Sequence, residues 1–393
     1  MSAQSGPLPV RTLVFLAAAC FASAASLRAC DPILPELATA FATTPGDAAK
    51  VITFFGAAYA VAQFVYGFVG DRYGHLRVIA ATTLLSGASS IVCALAGTLD
   101  MLVLARIAVG LTAAAIIPLS FAWLGDVVPY ARRQAVLAYF LSGQISGIVL
   151  GQAFAGILAE YFGWRSVFIA IAACFVIAGL ALILELRRLG PESAAAIKSL
   201  EPAFTRVVSM LRRPWVAVVL VCTFLEGMIF FGAYTFVGSF IWARFGLSLD
   251  LVGLIVAGFG VGGLLYSVSA SYLVPRMGEG GLALWGGVLV AVSFTIITIA
   301  PSPIFIVPAT ILAGFSYYMI HNTLQTNATQ MAPQARGLAV ATFASCLFLG
   351  QAAGVALAAP IYDSTGGVPL FLAAGVLLFL VGVAFRILRS RPV

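Results

Sequence analysis

Residues 67–77 read GFVGDRYGHLR, a short stretch with one aspartate, two arginines and one histidine that joins two long apolar segments. The joined segments, 50–70 and 77–98, each reach the length of about 20 residues that a helix needs to cross a bilayer. A charged, glycine-containing turn between two such segments is typical of a helical hairpin whose two arms both span the membrane. This stretch therefore predicts a transmembrane fold.

The composition of the whole chain agrees with that prediction. Of the 393 residues, 62% are apolar and only 9% are Asp, Glu, Lys or Arg, whereas soluble domains are about half apolar and a quarter charged. The longest charged stretch, 187–213, is far shorter than the roughly 100 residues of a soluble catalytic or nucleic-acid-binding domain. The function must therefore reside within the lipid bilayer.

Twelve segments are long and apolar enough to cross a membrane, and we number them spans 1 to 12. They are 11–34, 50–70, 77–98, 101–124, 134–160, 164–186, 214–241, 251–275, 281–300, 303–325, 336–360 and 367–388. We predict an all-α membrane protein with two pseudo-symmetric six-helix bundles. The predicted divisions are a cytoplasmic N-terminal tail 1–10, an N-terminal bundle 11–186, a cytoplasmic inter-bundle loop 187–213, a C-terminal bundle 214–388 and a cytoplasmic tail 389–393.

The basic residues divide unequally between the two sides of this layout. With both termini inside, the inner loops and tails hold Arg11, Arg72, Arg77, Arg132, Arg133, Arg187, Arg188, Lys198, Arg206, Arg212, Arg213, Arg276, Arg336, Arg386, Arg389 and Arg391. The other side holds only Lys50, Arg165 and Arg244. Because this bias sets orientation by the positive-inside rule, we predict that both termini are cytoplasmic. The net charge of +7 comes from scattered residues, not basic runs, which argues against a nucleic-acid partner.

The two halves of the chain match each other at an offset of 204 residues. The matched positions are Arg72 with Arg276, Gly74 with Gly278, Gly110 with Gly314, and the pattern Pro-x-Ala-Arg-x-x-Ala-Val at 129–136 with the same pattern at 333–340. One constant offset at separated sites indicates an internal duplication, although membrane sequence rich in small residues also matches itself by chance. Parallel repeats of six-span halves are one of the transporter architectures.

Four motifs resemble those of the major facilitator superfamily. They are the loop 67–77 with Gly67, Asp71, Arg72, Gly74 and Arg77, the arginine motif of span 4 with Arg106, Gly110 and 113–115, the antiporter glycines of span 5 at Gly143, Gly147, Gly151 and Gly156, and the element Asp31-Pro-Ile-Leu-Pro35. The last is similar to the Asp-x-x-Leu-Pro element of the twelve-span drug:proton antiporters. The chain departs from the family patterns at His75, Gln152 and Ala155.

The resemblance implies a bacterial inner-membrane transporter whose two bundles alternately open a central cavity to each side. It also implies that the residues of the 67–77 motif form a cytoplasmic gate. Because Gly74 permits a tight turn, Asp71 could accept hydrogen bonds from a neighbouring helix N-terminus or pair with nearby arginines. A plain topogenic turn is the alternative.

Glu226 is the most informative charge inside a predicted span. It follows the start of span 7 by twelve residues, which at 1.5 Å per residue is about 18 Å, close to the bilayer midplane. No basic residue of its own span can reach it, and an unpaired carboxyl in a low dielectric favours the protonated form. Glu226 is therefore a candidate proton-coupling residue, and a structural carboxyl, permanently protonated or hydrogen-bonded, is the alternative.

Three further charges, Arg28, Asp31 and Arg106, fall within predicted spans. Arg28 and Asp31 are three residues apart, so they share a helix face and can pair. Asp31 lies either solvated at the outer mouth or, as the Asp-x-x-Leu-Pro resemblance implies, at a cavity-facing proton or substrate site. For Arg106 the resemblance implies a part in proton transfer, and donation to backbone carbonyls of a neighbouring span is the alternative.

Several aromatic and polar side chains are candidates for a substrate cavity. Phe230 and Tyr234 follow Glu226 at intervals of four and share its helix face, which would suit a lipophilic cation or an amphipathic aromatic compound. In span 10, His321 is a candidate because histidine is a common proton-transfer residue, although a lone histidine is more often a hydrogen-bonded structural residue. The full set of cavity candidates is Arg28, Tyr59, Gln63, Tyr66, Phe230, Tyr234, Tyr317, His321 and Asn322.

The glycines of span 5 predict close helix packing. Gly143, Gly147 and Gly151 are spaced by four, and Gly156 follows them. Such a ridge lets another helix approach closely. We expect the ridge to abut its counterpart in the second half and to seal or bend there during switching.

These observations predict a monomeric secondary transporter that exports a small, partly hydrophobic compound in exchange for protons, with Glu226, Asp31 and Arg106 in the coupling. One alternative is proton-coupled or facilitative uptake of a sugar or metabolite. Another is a non-transporting receptor or assembly protein that kept the fold.

We expect no enzyme activity, catalytic residue, metal or cofactor. The two histidines lie in separate regions, and no nucleophile motif or nucleotide-binding loop is present. The six cysteines lack the close pairing of a metal site or a disulfide framework.

Overall fold

The computed structural model describes residues 10–128, 130–189, 213–331 and 336–389. Within these ranges the chain is almost wholly helical and has no β-strand, which confirms the all-α prediction. The tails and most of the predicted inter-bundle loop lie outside the described residues. So do parts of the two repeated patterns 129–136 and 333–340.

The described helices reproduce the predicted spans with small extensions at their ends. They are Val10–Arg28 and Leu34–Ala40 (span 1), Pro45–Ala48, Lys50–Tyr73 (span 2), His75–Ala94 (span 3), Leu99–Ala113 and Ile116–Val127 (span 4), Tyr130–Phe162 (span 5), Trp164–Leu189 (span 6), Pro214–Tyr234 and Val237–Phe245 (span 7), Leu249–Ile299 (spans 8 and 9), Ile306–Met331 (span 10), Arg336–Thr365 (span 11) and Gly367–Arg389 (span 12). A short 3₁₀ helix, Pro303–Phe305, precedes span 10.

Eleven helical stretches of the described chain are long and apolar enough to span a membrane. One of them, Leu249–Ile299, has 51 residues and contains two spans joined at Gly278, where φ is 62° and ψ is 172°. Counting both arms gives the twelve predicted spans. Gly74, the repeat equivalent of Gly278, joins spans 2 and 3 with φ of 90°. Both hairpins thus turn at a glycine in the positive-φ region that side chains disfavour.

Three spans are interrupted near their middle or their end. The helix of span 1 stops at Arg28 and resumes at Leu34, and that of span 7 stops at Tyr234 and resumes at Val237. These two breaks occupy equivalent places in the two halves. Span 4 is interrupted at Ala114 and Ala115.

The internal repeat extends to individual contacts between neighbouring helices. A Cβ at Gly110 would collide with the carbonyl of Phe55, and one at Gly314 would collide with the carbonyl of Phe259. Residues 55 and 259 are themselves 204 positions apart. The same close crossing therefore occurs between spans 2 and 4 and between spans 8 and 10.

This crossing predicts a large effect of adding a side chain at Gly314. We expect Gly314→Val to destabilise the protein by about 1–3 kcal/mol or more, because the helices cannot separate without losing their other contacts. Gly97 is the matched control, since a Cβ there would meet open space. The melting temperatures of both variants in detergent measure the effect, and an equal value for both would contradict the packing described here.

The outer surface of the molecule is apolar. Exposed side chains such as Leu104, Ile177, Val268 and Leu380 point away from both bundles, as a lipid-facing surface requires. We call the end that carries Val10 and Arg389 the termini end and the opposite end the far end.

Candidate transport site at the interface of the two bundles

The two bundles meet where span 2 packs on span 11 and where span 5 packs on span 8. A Cβ at Gly56 would lie 3.6 Å from Cβ of Ala352, and the rings of Tyr59 and Phe348 are 4.6 Å apart. In the described part of the chain, cross-bundle hydrogen bonds join Arg28 to Gln351, Leu249 to Glu160, and both Thr44 and Gly46 to Asp363. Apart from the first, these bonds lie at the far end.

The contacts between the bundles are unequal at the two ends. Of the four cross-bundle hydrogen bonds between described residues, three lie at the far end and the fourth, that of Arg28, lies between the two ends. The bundles therefore converge from the termini end toward the far end, and the buried polar groups between them lie around the point of convergence.

Arg28 is the central polar residue of this interface and is only 3% exposed. Its Nη2 donates to Oε1 of Gln351 in span 11 at 3.0 Å, and its Nη1 lies 3.6 Å from Oδ2 of Asp31. Its guanidinium carbon stacks 3.6 Å from the ring centroid of Phe231 in span 7. Arg28 thus holds a side chain of the N-terminal bundle against two spans of the C-terminal bundle.

Asp31 is buried, with 1% of its surface exposed, so a solvated position at the outer mouth is wrong. The predicted pairing with Arg28 is present, but Asp31 lies after the end of the first helix of span 1 and not on that helix. Nε2 of Gln152 donates to Asp31 Oδ2 at 3.3 Å. Oδ1 of Asp31 and Nη1 of Arg28 have no hydrogen-bond partner among the described residues.

Glu226 is fully buried in span 7, twelve residues from its start at Pro214. It is not unpaired, because Nδ1 of His321 in span 10 lies 3.4 Å from its Oε2. The same nitrogen lies 3.2 Å from the hydroxyl of Tyr317. Oε1 of Glu226 has no hydrogen-bond partner in the described chain. His321 is 12% exposed and is the member of this group nearest to solvent.

Arg106 has the contacts of a structural residue. It is fully buried, and its guanidinium donates to the backbone carbonyls of Ser26 at 3.1 Å and Val51 at 3.4 Å and to the Ser26 hydroxyl at 3.2 Å. The ring centroid of Phe55 lies 4.0 Å from its guanidinium carbon. Arg106 therefore fastens span 4 to spans 1 and 2, and its hydrogen bonds go to carbonyl and hydroxyl oxygens.

The aromatic face of span 7 lies inside the C-terminal bundle, which corrects its predicted place at a cavity. Phe230 and Tyr234 are 0% and 1% exposed, and Phe230 packs on Phe259, Phe294 and Tyr317. The Tyr234 hydroxyl donates to a backbone carbonyl of span 8. Periodicity identified the face correctly but not the neighbours that cover it.

Of the remaining cavity candidates, two are buried and two are partly exposed. Tyr59 and Gln63 are buried in span 2, and Oε1 of Gln63 has no hydrogen-bond partner among the described residues. Tyr66 and Asn322 are partly exposed nearer the termini end.

The predicted gate residues form contacts within the N-terminal bundle. Asp71 is 73% exposed and lies 3.3 Å from Nε2 of His75, whose Nδ1 lies 3.2 Å from Asp126. Arg72 and Arg77 are exposed. Where the structure describes this end, Asp71 makes no hydrogen bond to the other bundle.

The glycine ridge of span 5 packs mainly on span 1, not on the second half as expected. Gly143 faces Ala17, and side chains added at Gly147 and Gly151 would collide with span 1. Gly156 alone among the four faces span 8, where a Cβ would collide with the Leu249 carbonyl.

Sequence reasoning missed the two amides that contact the ion pair of Arg28 and Asp31, namely Gln351 and Gln152. We call these four residues the polar cluster. Gln152 stands out in the sequence only as a departure from a motif, and Gln351 belongs to no motif, although each is an uncharged polar residue in the middle of an apolar span. Burying an amide without a partner is costly, so a lone mid-span glutamine is itself a signal.

Glu185 was also missed. It is fully buried and accepts a hydrogen bond from Thr12 at 3.0 Å.

The described residues hold no group of three or more histidine, cysteine or acidic side chains that could bind a metal. All six cysteines are free thiols, and four of them are buried.

Comparisons with known proteins agree with this architecture. The family model of the Major Facilitator Superfamily matches residues 15–333 and 219–393. The chain is 25% identical to the uncharacterized MFS-type transporter YwfA of Bacillus subtilis (strain 168) over 91% of this chain and 87% of that protein. It is 23% identical to YceJ, another uncharacterized MFS-type transporter of the same strain, over 85% of each chain.

Solved structures show the same fold. A bacterial homolog of the human lysosomal transporter Spinster, in an inward-facing and unoccupied conformation, superposes with a TM-score of 0.78 at 17% identity and 98% coverage of both chains. A peptide transporter POT in complex with sulfate gives 0.77 at 16% identity, covering 97% of this chain and 94% of that one. Because the family model covers most of the chain and the twelve spans form the matching two-bundle fold, the protein belongs to the Major Facilitator Superfamily.

Proposed function

We propose that the protein exports a small, partly hydrophobic compound across a bacterial inner membrane in exchange for protons. Both termini lie in the cytoplasm, as the arginine distribution indicates. The convergence of the bundles at the far end then corresponds to a state open to the cytoplasm. The similar Spinster homolog is described in an inward-facing conformation, which supports this assignment.

The observation that carries the proposal is the buried pair of Glu226 and His321, 3.4 Å apart. A carboxyl near the membrane midplane is costly unless it has a function or a partner. Its neighbour here is a histidine, a side chain that commonly carries protons, and His321 is 12% exposed whereas Glu226 is fully buried. The pair is therefore placed to share or exchange a proton, with His321 on the side nearer to solvent.

The ion pair of Arg28 and Asp31 lies nearer the far end than the pair of Glu226 and His321. Arg28 is about 27 Å along its helix from Val10, and Glu226 is about 18 Å from the start of span 7, so the two groups occupy successive levels. Both levels contain a buried carboxylate oxygen without a hydrogen-bond partner in the described chain. A compound with a hydrogen-bonding group and an apolar body would compete with protons for these oxygens.

The burial of Phe230 and Tyr234 narrows the substrate proposal. The aromatic face of span 7 packs inside the C-terminal bundle, so recognition relies on the cross-bundle polar groups of Arg28 and Asp31 and on the partly exposed Tyr66 and Asn322. A lipophilic cation without hydrogen-bonding groups would have few exposed aromatic rings to contact in this conformation.

Transport into inverted membrane vesicles tests the function. In such vesicles the cytoplasmic side faces out, and an acidic lumen reproduces the proton gradient of the cell. We expect a partly hydrophobic compound to accumulate in the lumen above its level in vesicles that lack the protein, since a weak base also enters an acidic lumen passively. A protonophore should abolish the difference. The proposal is supported if the compound moves into the lumen only when the lumen is acidic.

Two other outcomes would replace the proposal. Proton-driven loss of compound from the lumen would indicate uptake into the cell. Absence of movement for every compound in a broad panel would favour a receptor that kept the fold.

A further inference from the structure

Glu160 joins the two bundles at the far end. It ends span 5, and its Oε2 accepts a hydrogen bond of 2.7 Å from the backbone amide of Leu249, the first residue of span 8. The contact is close because Gly156, one turn earlier, lies directly against Leu249 and Gly253. The carboxylate of one bundle thus caps the helix N-terminus of the other.

Asp363 makes the corresponding contact on the opposite side of the interface. It lies near the end of span 11, and its Oδ1 accepts from the Gly46 amide at 3.0 Å. Its Oδ2 accepts from the Thr44 hydroxyl at 2.6 Å. Thr44 and Gly46 begin the short helix Pro45–Ala48 that leads into span 2.

The two contacts are related by the internal repeat. Spans 5 and 11 are equivalent, as are spans 2 and 8, and the residues before the capped helices, Thr44 and Ser248, are 204 positions apart. Each acidic residue lies in the last turn of a helix of one bundle and reaches the first turn of a helix of the other. The two seams of the interface, where span 5 packs on span 8 and where span 2 packs on span 11, are therefore closed at the far end by the same kind of contact.

The chemistry of these contacts favours a closed far end. The first amides of a helix have no partner within the helix, and a carboxylate placed there satisfies them and interacts favourably with the helix dipole. All three bonds must break when the bundles separate at this end, because donor and acceptor belong to different bundles. The water that replaces them recovers only part of their energy.

We infer that Glu160 and Asp363 are paired positioning residues that latch the far end shut and so set the balance between the two conformations of the transport cycle. The inference rests on the proposed alternating access but on neither Glu226 nor the identity of the substrate. Removing either latch then favours the state open at the far end.

Glu36 provides a matched control. Its Oε1 accepts a hydrogen bond of 2.8 Å from the amide of Trp164, the first residue of span 6. This is the same carboxylate cap at the same end of the molecule, but both partners belong to the N-terminal bundle. Its loss should affect stability without affecting the separation of the bundles.

Double electron–electron resonance measures that separation directly. Spin labels on Gly97→Cys and Ile304→Cys report the distance between the two bundles at the far end, since a side chain at Gly97 meets open space and Ile304 is exposed. Cys174 and Cys346, the thiols that are not buried, are replaced by serine in this background. The distance distribution then gives the ratio of long-distance to short-distance populations without any transport assay.

We expect Glu160→Ala and Asp363→Ala each to raise that ratio about three- to tenfold. The double variant should approach the product of the two effects, because the sites lie on separate seams. Glu160→Gln keeps the side-chain volume but loses the charge, and should shift the ratio in the same direction by a smaller factor.

An unchanged ratio in both single variants, or an equal shift in Glu36→Ala, would overturn the latch assignment. If Glu160→Ala does not fold, the same comparison is made with Glu160→Gln and Asp363→Asn. Because the readout is a distance, a latch that fails this test is distinguishable from a transporter that fails to couple to protons.

Discussion

Glu226→Gln should reduce proton-driven accumulation in inverted vesicles to the level of vesicles that lack the protein. The amide keeps the shape of the side chain and can still accept a hydrogen bond from His321, but it cannot bind and release a proton. Exchange of labelled for unlabelled compound without a gradient needs no net proton movement, and we expect it to persist. The two assays on one variant therefore separate coupling from binding.

Glu185→Gln is the control for this experiment. Glu185 is also a fully buried carboxylate, but it lies at the termini end of span 6, where Arg11 and Arg188 approach it within 3.4 Å and 3.5 Å. We expect this variant to keep proton-driven accumulation. Equal loss in both variants would show that any buried carboxylate is needed for a folded protein, which would remove the special role of Glu226.

Arg106→Ala should destabilise the protein far more than the loss of an exposed charged side chain. The substitution removes three buried hydrogen bonds, to the Ser26 carbonyl, the Ser26 hydroxyl and the Val51 carbonyl, and opens a cavity beside Phe55. Unsatisfied buried groups cost about 1–3 kcal/mol each, so we expect a loss of about 3–5 kcal/mol in total. Arg106→Lys retains a donor that cannot reach all three oxygens at once, and should recover only part of the loss.

The melting temperature in detergent checks this prediction. Arg77→Ala is the matched control, because Arg77 is exposed at the termini end and its loss should change stability by less than about 0.5 kcal/mol. If Arg106→Ala and Arg77→Ala have the same melting temperature, the structural role of Arg106 is contradicted. If it melts normally and also loses proton coupling, the relay that the family resemblance implied would be the better explanation.

Most of the fold could be predicted because a membrane span leaves a simple signal. Twelve apolar runs and their connecting turns are visible in the sequence, and the structure extends them by only a few residues at most ends. The glycine hairpins at Gly74 and Gly278 were also visible, since both the motif and the repeat mark them.

The helix breaks could not be predicted from hydropathy. The run that contains Arg28 and Asp31 stays apolar through the break, so hydropathy predicts one continuous span of 11–34. Pro32 and Pro35 were available as signals, because proline disfavours helix at the residue before it. The corresponding break at Thr235 and Phe236 has no proline, and only comparison with the first half suggests it.

The partners in the site depended on tertiary structure. Helical spacing placed Glu226, Phe230 and Tyr234 on one face, but His321 approaches Glu226 from a helix 95 positions later in the sequence. Likewise Arg28 contacts Gln351, and no local pattern links residues so far apart. A single sequence can therefore identify buried charges, while the groups that neutralise them appear only when the helices are assembled.

The gate predicted at residues 67–77 lies at the end of the molecule where the bundles are apart. Asp71 contacts His75 in a state where the bundles converge at the other end, and a gate that closes the termini end would form its cross-bundle contacts in the opposite state. The gate role of Gly67, Asp71, Arg72, Gly74 and Arg77 therefore stays a prediction.

The most direct test of proton coupling through Glu226 uses the compound gradient to drive protons. Vesicles are loaded with a transported compound, no pH gradient is imposed, and a pH-sensitive dye records the proton flux as the compound leaves. We predict a proton flux opposite in direction to the compound in the native protein, and compound movement without that flux in Glu226→Gln. A native protein that moves compound without protons, or a Glu226→Gln variant with the native proton flux, would contradict coupling through this residue.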